Sequence, residues 1–211
     1  IKNGDESSNG CSIYHNNITL NQADPVGFVE PGLGNNYFNQ APEMIYFQPT
    51  AISSTYSNEN NIGLSRIWHN TVNMAVNHGG VGIGLSNSAN ALVTNNYVHV
   101  LSTMTLPGQS GYPPAIRGIN SNISEKLRLI GNVIDNNFSV NASTIYAPSD
   151  NVGIYLHGNA NSLIHCNIAN FLRYGLCVIG QNGSFSDYSL TSGNTMKGSY
   201  ADWVCWRLGY E

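Results

Sequence analysis

The chain has 211 residues, 41 % of them apolar and only 9 % charged, with a formal net charge of −4. That length suits one domain with a sizeable core, and the apolar content excludes a disordered chain. The acidic balance argues against nucleic acid as a partner, and no apolar run approaches the roughly 18 residues of a membrane span.

Taken in order, residues 1–12 are polar and read as a lead-in. Ser12–Leu20 (SIYHNNITL) reads as strand, corner, strand, with Asn17 at the corner. Residues 21–62 are rich in Pro, Gly, Asn and Tyr and hold one strand-like run, Met44–Gln48. They read as one irregular coil plus an excursion, and a loop of that length is often functional. Leu64–Val72 (LSRIWHNTV) restores the corner pattern with Asn70.

From there a frame repeats. Gly82–Asn96 (GIGLSNSANALVTNN), Gly118–Asn132 (GINSNISEKLRLIGN) and Gly153–Asn167 (GIYLHGNANSLIHCN) each separate glycine from asparagine by 14 positions. Gly175–Asn194 repeats it with five extra residues. A fixed frame of this kind marks stacked coils. One inward column follows the glycine: Ile83, Ile119, Ile154, Leu176. Another lies two further on: Leu85, Ser121, Leu156, Val178. A third precedes the asparagine by three: Ile67, Val93, Leu129, Ile164, Thr191. A fourth follows it by two: Val98, Ile134, Ala169, Met196. Spacing by two puts such residues on one face of a strand. Stacked asparagine amides bond the coils above and below, and each left unpaired inside would cost about 1–3 kcal/mol. The long connections Ser102–Pro114 and Asn136–Asp150 leave at one corner and are expected to wall the glycine-led strand. The closing run Trp203–Tyr210 reads as a strand whose Trp203 and Trp206 cover the open end of the stack, as a solenoid requires.

The G-I-x-L…I-x-x-N-x-hydrophobic frame at 82–98, 118–134 and 153–169 resembles the right-handed parallel β-helix of the pectate-lyase-like superfamily. That group includes polysaccharide lyases, some glycoside hydrolases, phage tailspikes and carbohydrate-binding repeat proteins. The resemblance implies an all-β, right-handed parallel β-helix of about six coils. The whole chain, 1–211, is then one domain: irregular to 62, regular over 63–202, and closed by 203–211. It also implies a polysaccharide lying along one outer sheet face. Trimers or fibres of this chain are a further implication, since related viral spikes often trimerise.

On the glycine-led strand the outward columns are Gly84–Asn120–Tyr155–Cys177–Cys205 and Ser86–Asn122–His157–Ile179–Arg207. Tyr155 and His157 point outward together, and a histidine can take a proton that a tyrosine can supply. Arg117, just before its strand, would face a uronate carboxylate. These three form the first candidate catalytic set, suited to β-elimination; the alternative is an ordinary solvated surface. Asn120, Asn122, Ser86, Tyr112, Tyr146 and Trp68 are candidate sugar contacts, Trp68 lying in a cluster with Arg66, His69 and Arg128. The second candidate acid–base pair is His99 with Asp135, three positions after their asparagines on successive coils; its alternative is a polar row Asn73–His99–Asp135–Asn170.

Aligning LCVIG (176–180) with VCWRLG (204–209) gives Cys177 and Cys205 one offset. Coils about 4.8 Å apart put them in disulfide range, so a bridge and two stacked thiols are both open. Cys11 and Cys166 have no evident partner. No carboxylate cluster or CxxC spacing suggests a metal, and no cofactor is expected. Five Asn-x-Ser/Thr sequons, at Asn17, Asn122, Asn137, Asn141 and Asn182, and a polar, uncharged surface suit an extracellular or virion-surface setting. The expected function is polysaccharide binding, with lyase- or hydrolase-like cleavage as its enzymatic form. The rival is a non-catalytic spike, adhesin or fibre.

Overall fold

The computed structural model describes residues 2–4, 12–21, 50–55, 65–75, 80–86, 88–100, 116–122, 124, 126–136, 152–159, 161–171, 174–181, 190–198 and 201–208. The first coil is β1 (Lys2–Gly4), β2 (Ser12–Tyr14) and β3 (Asn17–Asn21). The second is β4 (Thr50–Thr55), β5 (Arg66–Trp68) and β6 (Thr71–Ala75). The third is β7 (Gly80–Ser86), β8 (Leu92–Thr94) and β9 (Tyr97–Val100). The fourth is β10 (Ile116–Asn122), β11 (Arg128–Ile130) and β12 (Val133–Asn136). The fifth is β13 (Val152–His157), β14 (Leu163–His165) and β15 (Ile168–Phe171). The sixth is β16 (Tyr174–Gln181), β17 (Leu190–Ser192) and β18 (Thr195–Gly198), and β19 (Ala201–Leu208) follows.

The first strand of every coil joins sheet A, seven strands from β1 to β19. The second strands form sheet B and the third form sheet C, six strands each. Every neighbouring pair is parallel, as in β10 with β13, β11 with β14 and β12 with β9. The architecture is an all-β parallel β-helix of about six coils, and no helix occurs among the described residues.

The inward columns lie in register. Ile52, Ile83, Ile119, Ile154 and Leu176 stack in sheet A. Ile13, Ile67, Val93, Leu129 and Ile164 stack in sheet B. Val72, Val98, Ile134 and Ala169 stack in sheet C. All belong to one apolar core running the length of the stack. Ser121, the polar member of its column, is buried and donates its hydroxyl to Asn159 Oδ1 at 2.8 Å.

Two sequence positions have a steric or hydrogen-bonding cause. A Cβ on Gly118 would lie 2.7 Å from the Gly153 carbonyl oxygen and against Ile134. The same collision recurs at Gly82 with the oxygen of Gly118 and at Gly153 with that of Gly175. Only a residue without a side chain lets the coils meet there. At the corner between sheets B and C, Asn96 donates its backbone N–H and its side-chain amide to Asn132 Oδ1, at 3.1 and 2.9 Å. Asn132 treats Asn167 alike, and Asn167 treats Asn194 alike. The second amide hydrogen holds the strand of the preceding coil, as from Asn132 to the Val93 carbonyl at 2.9 Å.

Several expectations are corrected. The ladder's first member is Asn16, not Asn17: Asn16 donates to Asn70 Oδ1 at 2.9 Å, while Asn17 is exposed in β3 and accepts from Asn73. The lead-in contains β1, paired with β4. Within the 21–62 stretch β4 is an additional strand, whereas Met44–Gln48 lies outside the described residues. Cys177 stands opposite Val204 and Cys205 opposite Val178, which removes the shared offset behind the bridge; Trp206, not Arg207, stands opposite Ile179. Trp203 occupies the inward column opposite Leu176 but remains 59 % exposed. It lines a depression of about 300 Å³ with Leu176, Met196 and Asp202. Leu176 opposite it is buried, and the side chain of Trp206 lies outside the described residues.

Asn132→Ala is expected to destabilise the fold by about 2–4 kcal/mol in urea denaturation, since Asn96 and the Val93 carbonyl lose buried partners. Asn73→Ala, at an exposed amide, should stay within about 0.5 kcal/mol. Gly118→Ala should cost about 1–3 kcal/mol by overpacking, read from the same curves.

Candidate functional site

Sheet A presents the first candidate set. Arg117 lies within β10, one residue before the glycine. Its guanidinium sits 3.5 Å over the centre of the Tyr155 ring, and its Nη1–H donates to Asn120 Oδ1 at 2.8 Å. A guanidinium on a ring face is held by the ring quadrupole, more strongly where water is excluded. Asn122 and His157 face each other across the β10–β13 register. His157 Nδ1 lies 2.7 Å from Asn122 Oδ1. An amide oxygen only accepts, so Nδ1 carries the proton and Nε2 the lone pair.

The predicted residues Arg117, Asn120, Asn122, Tyr155 and His157 therefore come together, with Ser86 in register beside Asn122. The expected exposure is corrected, however. Arg117 is 1 % exposed, and Tyr155 and His157 are 7 % exposed. Tyr155 packs with Val152, Tyr174 and Cys177 in a second apolar cluster outside the main core. The outer face of sheet A is thus packed and internally hydrogen-bonded in this structure. Burial, followed by the charge of Arg117, holds His157 below the usual histidine value. Its imidazole is neutral at pH 7, as a proton acceptor must be. Asn122 heads a sequon, but its amide is buried against His157, which leaves no room for a glycan. Tyr112 and Tyr146 lie outside the described residues.

Sheet C presents the second pair, and it is half-exposed, 23 % at the His99 side chain and 33 % at that of Asp135. His99 and Asp135 stand opposite each other on β9 and β12, and His99 Nδ1 bonds Asp135 Oδ1. Tyr97, which the sequence pattern did not single out, completes the cluster. Its hydroxyl donates to Asp135 Oδ2 at 2.8 Å, and its ring lies parallel to His99 at 13°, centroids 5.8 Å apart. The spacing Tyr97-x-His99 places both on one strand face, and that was the available signal. The carboxylate accepts from both neighbours, which leaves Nε2 of His99 as the basic nitrogen. Tyr97 is 37 % exposed. Its phenol is pushed above the ordinary value by partial burial, then by the hydrogen bond and charge of Asp135. Asn73 stands in register below His99. Asn170 pairs with Lys197 further along the same sheet. The result is a row of hydrogen-bonding side chains along the axis, about 4.8 Å per coil.

On sheet B, Trp68 stacks face to face on Tyr14, centroids 4.8 Å apart and 19° between planes. One face of the Trp68 ring is thereby taken up by Tyr14, and the residue as a whole is half-buried. His15 and His69 stack beside them. Arg66 and Arg128 lie in one column, each opposite Leu92. Among the described residues, no three His, Cys, Asp or Glu side chains converge to hold a metal ion.

The lowered His157 value carries a sign. Its folded pKa lies below the unfolded value of 6.5, so the stability it contributes is present above that pH and is lost as pH falls toward the folded value. Urea midpoints should therefore fall more between pH 7 and pH 5 in wild type than in His157→Gln.

Comparison with protein-family models, with curated proteins and with solved structures finds no match, so what the chain is similar to is given by its architecture, a parallel β-helix with an internal asparagine ladder.

Proposed function

We propose that this chain is a polysaccharide-binding β-helix of the pectate-lyase-like kind, acting outside the cell or on a virion surface. Its contact face is the outer side of sheet C. The observation that carries the reading is the half-exposed row Asn73–His99–Asp135, continued by the exposed Asn170 and Lys197 and flanked by the exposed Tyr97. A linear polymer of hydroxyl-bearing rings needs donors and acceptors repeated at a regular step. A stack of coils supplies them at about 4.8 Å intervals. Tyr97 adds an apolar ring surface, and the Asp135-oriented His99 adds a base able to remove a proton if the bound chain is also cleaved.

The Arg117–Tyr155–His157 set has matching chemistry for a uronate but is buried, so it stands second as a contact site. The rival reading, a non-catalytic spike or fibre, is favoured by one observation: the apolar Trp203 and its depression at the end of the stack remain exposed. That surface suits end-on assembly with a second copy.

The test is a screen of acidic and neutral polysaccharides by calorimetry, with unsaturated-product absorbance and reducing ends measured in parallel. A bound polysaccharide is expected, and the double variant His99→Ala, Asp135→Ala should weaken it about tenfold or more. No binding by folded wild type, or equal binding by the variant, overturns the sheet C reading. Concentration-dependent assembly without any glycan binding would leave the spike reading in its place.

A further inference from the structure

We infer that Cys166, His165 and Ser192 form a thiol-exchange site at the corner between sheets B and C, taking a small disulfide as its substrate class. Cys166 is exposed, and its Sγ lies 3.0 Å from Nε2 of His165. On the other side of the ring, His165 Nδ1 lies 3.0 Å from the Ser192 carbonyl oxygen and 2.8 Å from its hydroxyl. That carbonyl can only accept. A bare lone pair on Nδ1 would face it in repulsion, so Nδ1 carries the hydrogen. Nε2 therefore presents its lone pair to the thiol. A nucleophile, a base within hydrogen-bond reach and a third group that orients the base are the parts of an activated nucleophile.

The fold holds these parts still. His165 stands opposite Ser192 in the β14–β17 register. The backbone N–H of Cys166 donates to the same Ser192 carbonyl at 3.1 Å. Cys166 takes the left-handed corner conformation, φ +53. The exposed thiol faces a small residue on the next coil. Its corner residue is Gly193, where a Cβ would come 3.2 Å from Sγ and 3.4 Å from Cε1 of His165. A side chain there would press on the thiol and on the edge of the imidazole, and Gly193 places none of its own against the sulfur.

The chemistry balances without a further reagent. Nε2 takes the proton from Sγ, and the thiolate attacks one sulfur of a disulfide R–S–S–R. The bond from Sγ to that sulfur forms as the S–S bond breaks. The leaving thiolate takes the proton back from the imidazolium. Cys166 ends as a mixed disulfide, one R–SH is released, and the sulfur of Cys166 is oxidised as the leaving sulfur is reduced.

The test treats the full chain with oxidised glutathione from about pH 6 to pH 9.5 and locates the adduct by peptide mass spectrometry. The first adduct is expected on Cys166. His165→Gln should slow it at least about tenfold at pH 7, with the two rates converging above about pH 9, where an unaided thiol ionises. Should the variant fold poorly, the wild-type profile decides. A base-assisted thiol loses far less than tenfold in rate from pH 8 to pH 7, whereas an unassisted one loses close to that. An unassisted profile, variant rates equal to wild type, or a first adduct on Cys11, Cys177 or Cys205 overturns the inference.

Discussion

The amide-to-amide bond between successive asparagines is the constraint on which the structure depends. Asn70, Asn96, Asn132 and Asn167 are buried at a corner where the chain turns away from the ladder of sheet B into that of sheet C. Backbone groups at such a bend lack strand partners and need side-chain ones. Each amide meets that need three ways: it accepts from the previous coil, donates to the next, and secures a strand carbonyl behind it. The satisfaction holds only when neighbouring coils are in register. In-register coils in turn bring the isoleucines and valines of three sheets into one continuous core. Burial supplies the bulk of the favourable free energy, and the amides select which stacking collects it.

The same register decides what the outside of the molecule can do. Side chains brought together on neighbouring coils come from residues one coil apart in sequence, a separation that varies with the connecting loops: 35 for Asn122 with His157, 36 for His99 with Asp135 and 27 for His165 with Ser192. Two faces carry such pairs with opposite fates. On sheet A the cation, rings and amides close on each other and are withdrawn from water. On sheet C a carboxylate, a phenol and an imidazole stay at the surface. The chemistry available to a ligand is set less by which residues are present than by which face they fall on.

Much of this was readable in the chain. Glycine and asparagine recur because the first avoids a collision with a neighbouring carbonyl and the second feeds the ladder, so both leave a mark that composition alone would hide. Asn16 was missed although Ile13 stands three residues before it, the offset that Ile67 keeps from Asn70. Two adjacent asparagines gave a false choice. In the last strand the frame fades because Asp202 takes the glycine position, and no described coil follows to demand glycine there. That is why Cys205 was aligned one residue out. Burial of Arg117 and His157 was not legible. A polar residue at an outward position looks the same in sequence whether water or protein covers it. The Cys166 contact was hidden for another reason: it joins neighbours in sequence whose meeting depends on Ser192, 26 residues beyond Cys166.

The asparagine row is also polar in the electrical sense. From Asn70 to Asn194 every ladder Oδ1 faces the asparagine of the earlier coil, and the amide-to-amide N–H bonds all run toward the later coil. The second N–H of each amide turns back to a strand carbonyl. Parallel strands largely cancel their own dipoles, but a column of like-oriented amides adds, as peptide units do along an α-helix. The two ends of the stack are therefore inequivalent to a charge: the Asn194 end is the positive pole, and the carboxylate of Asp202 lies on the rim of the depression there.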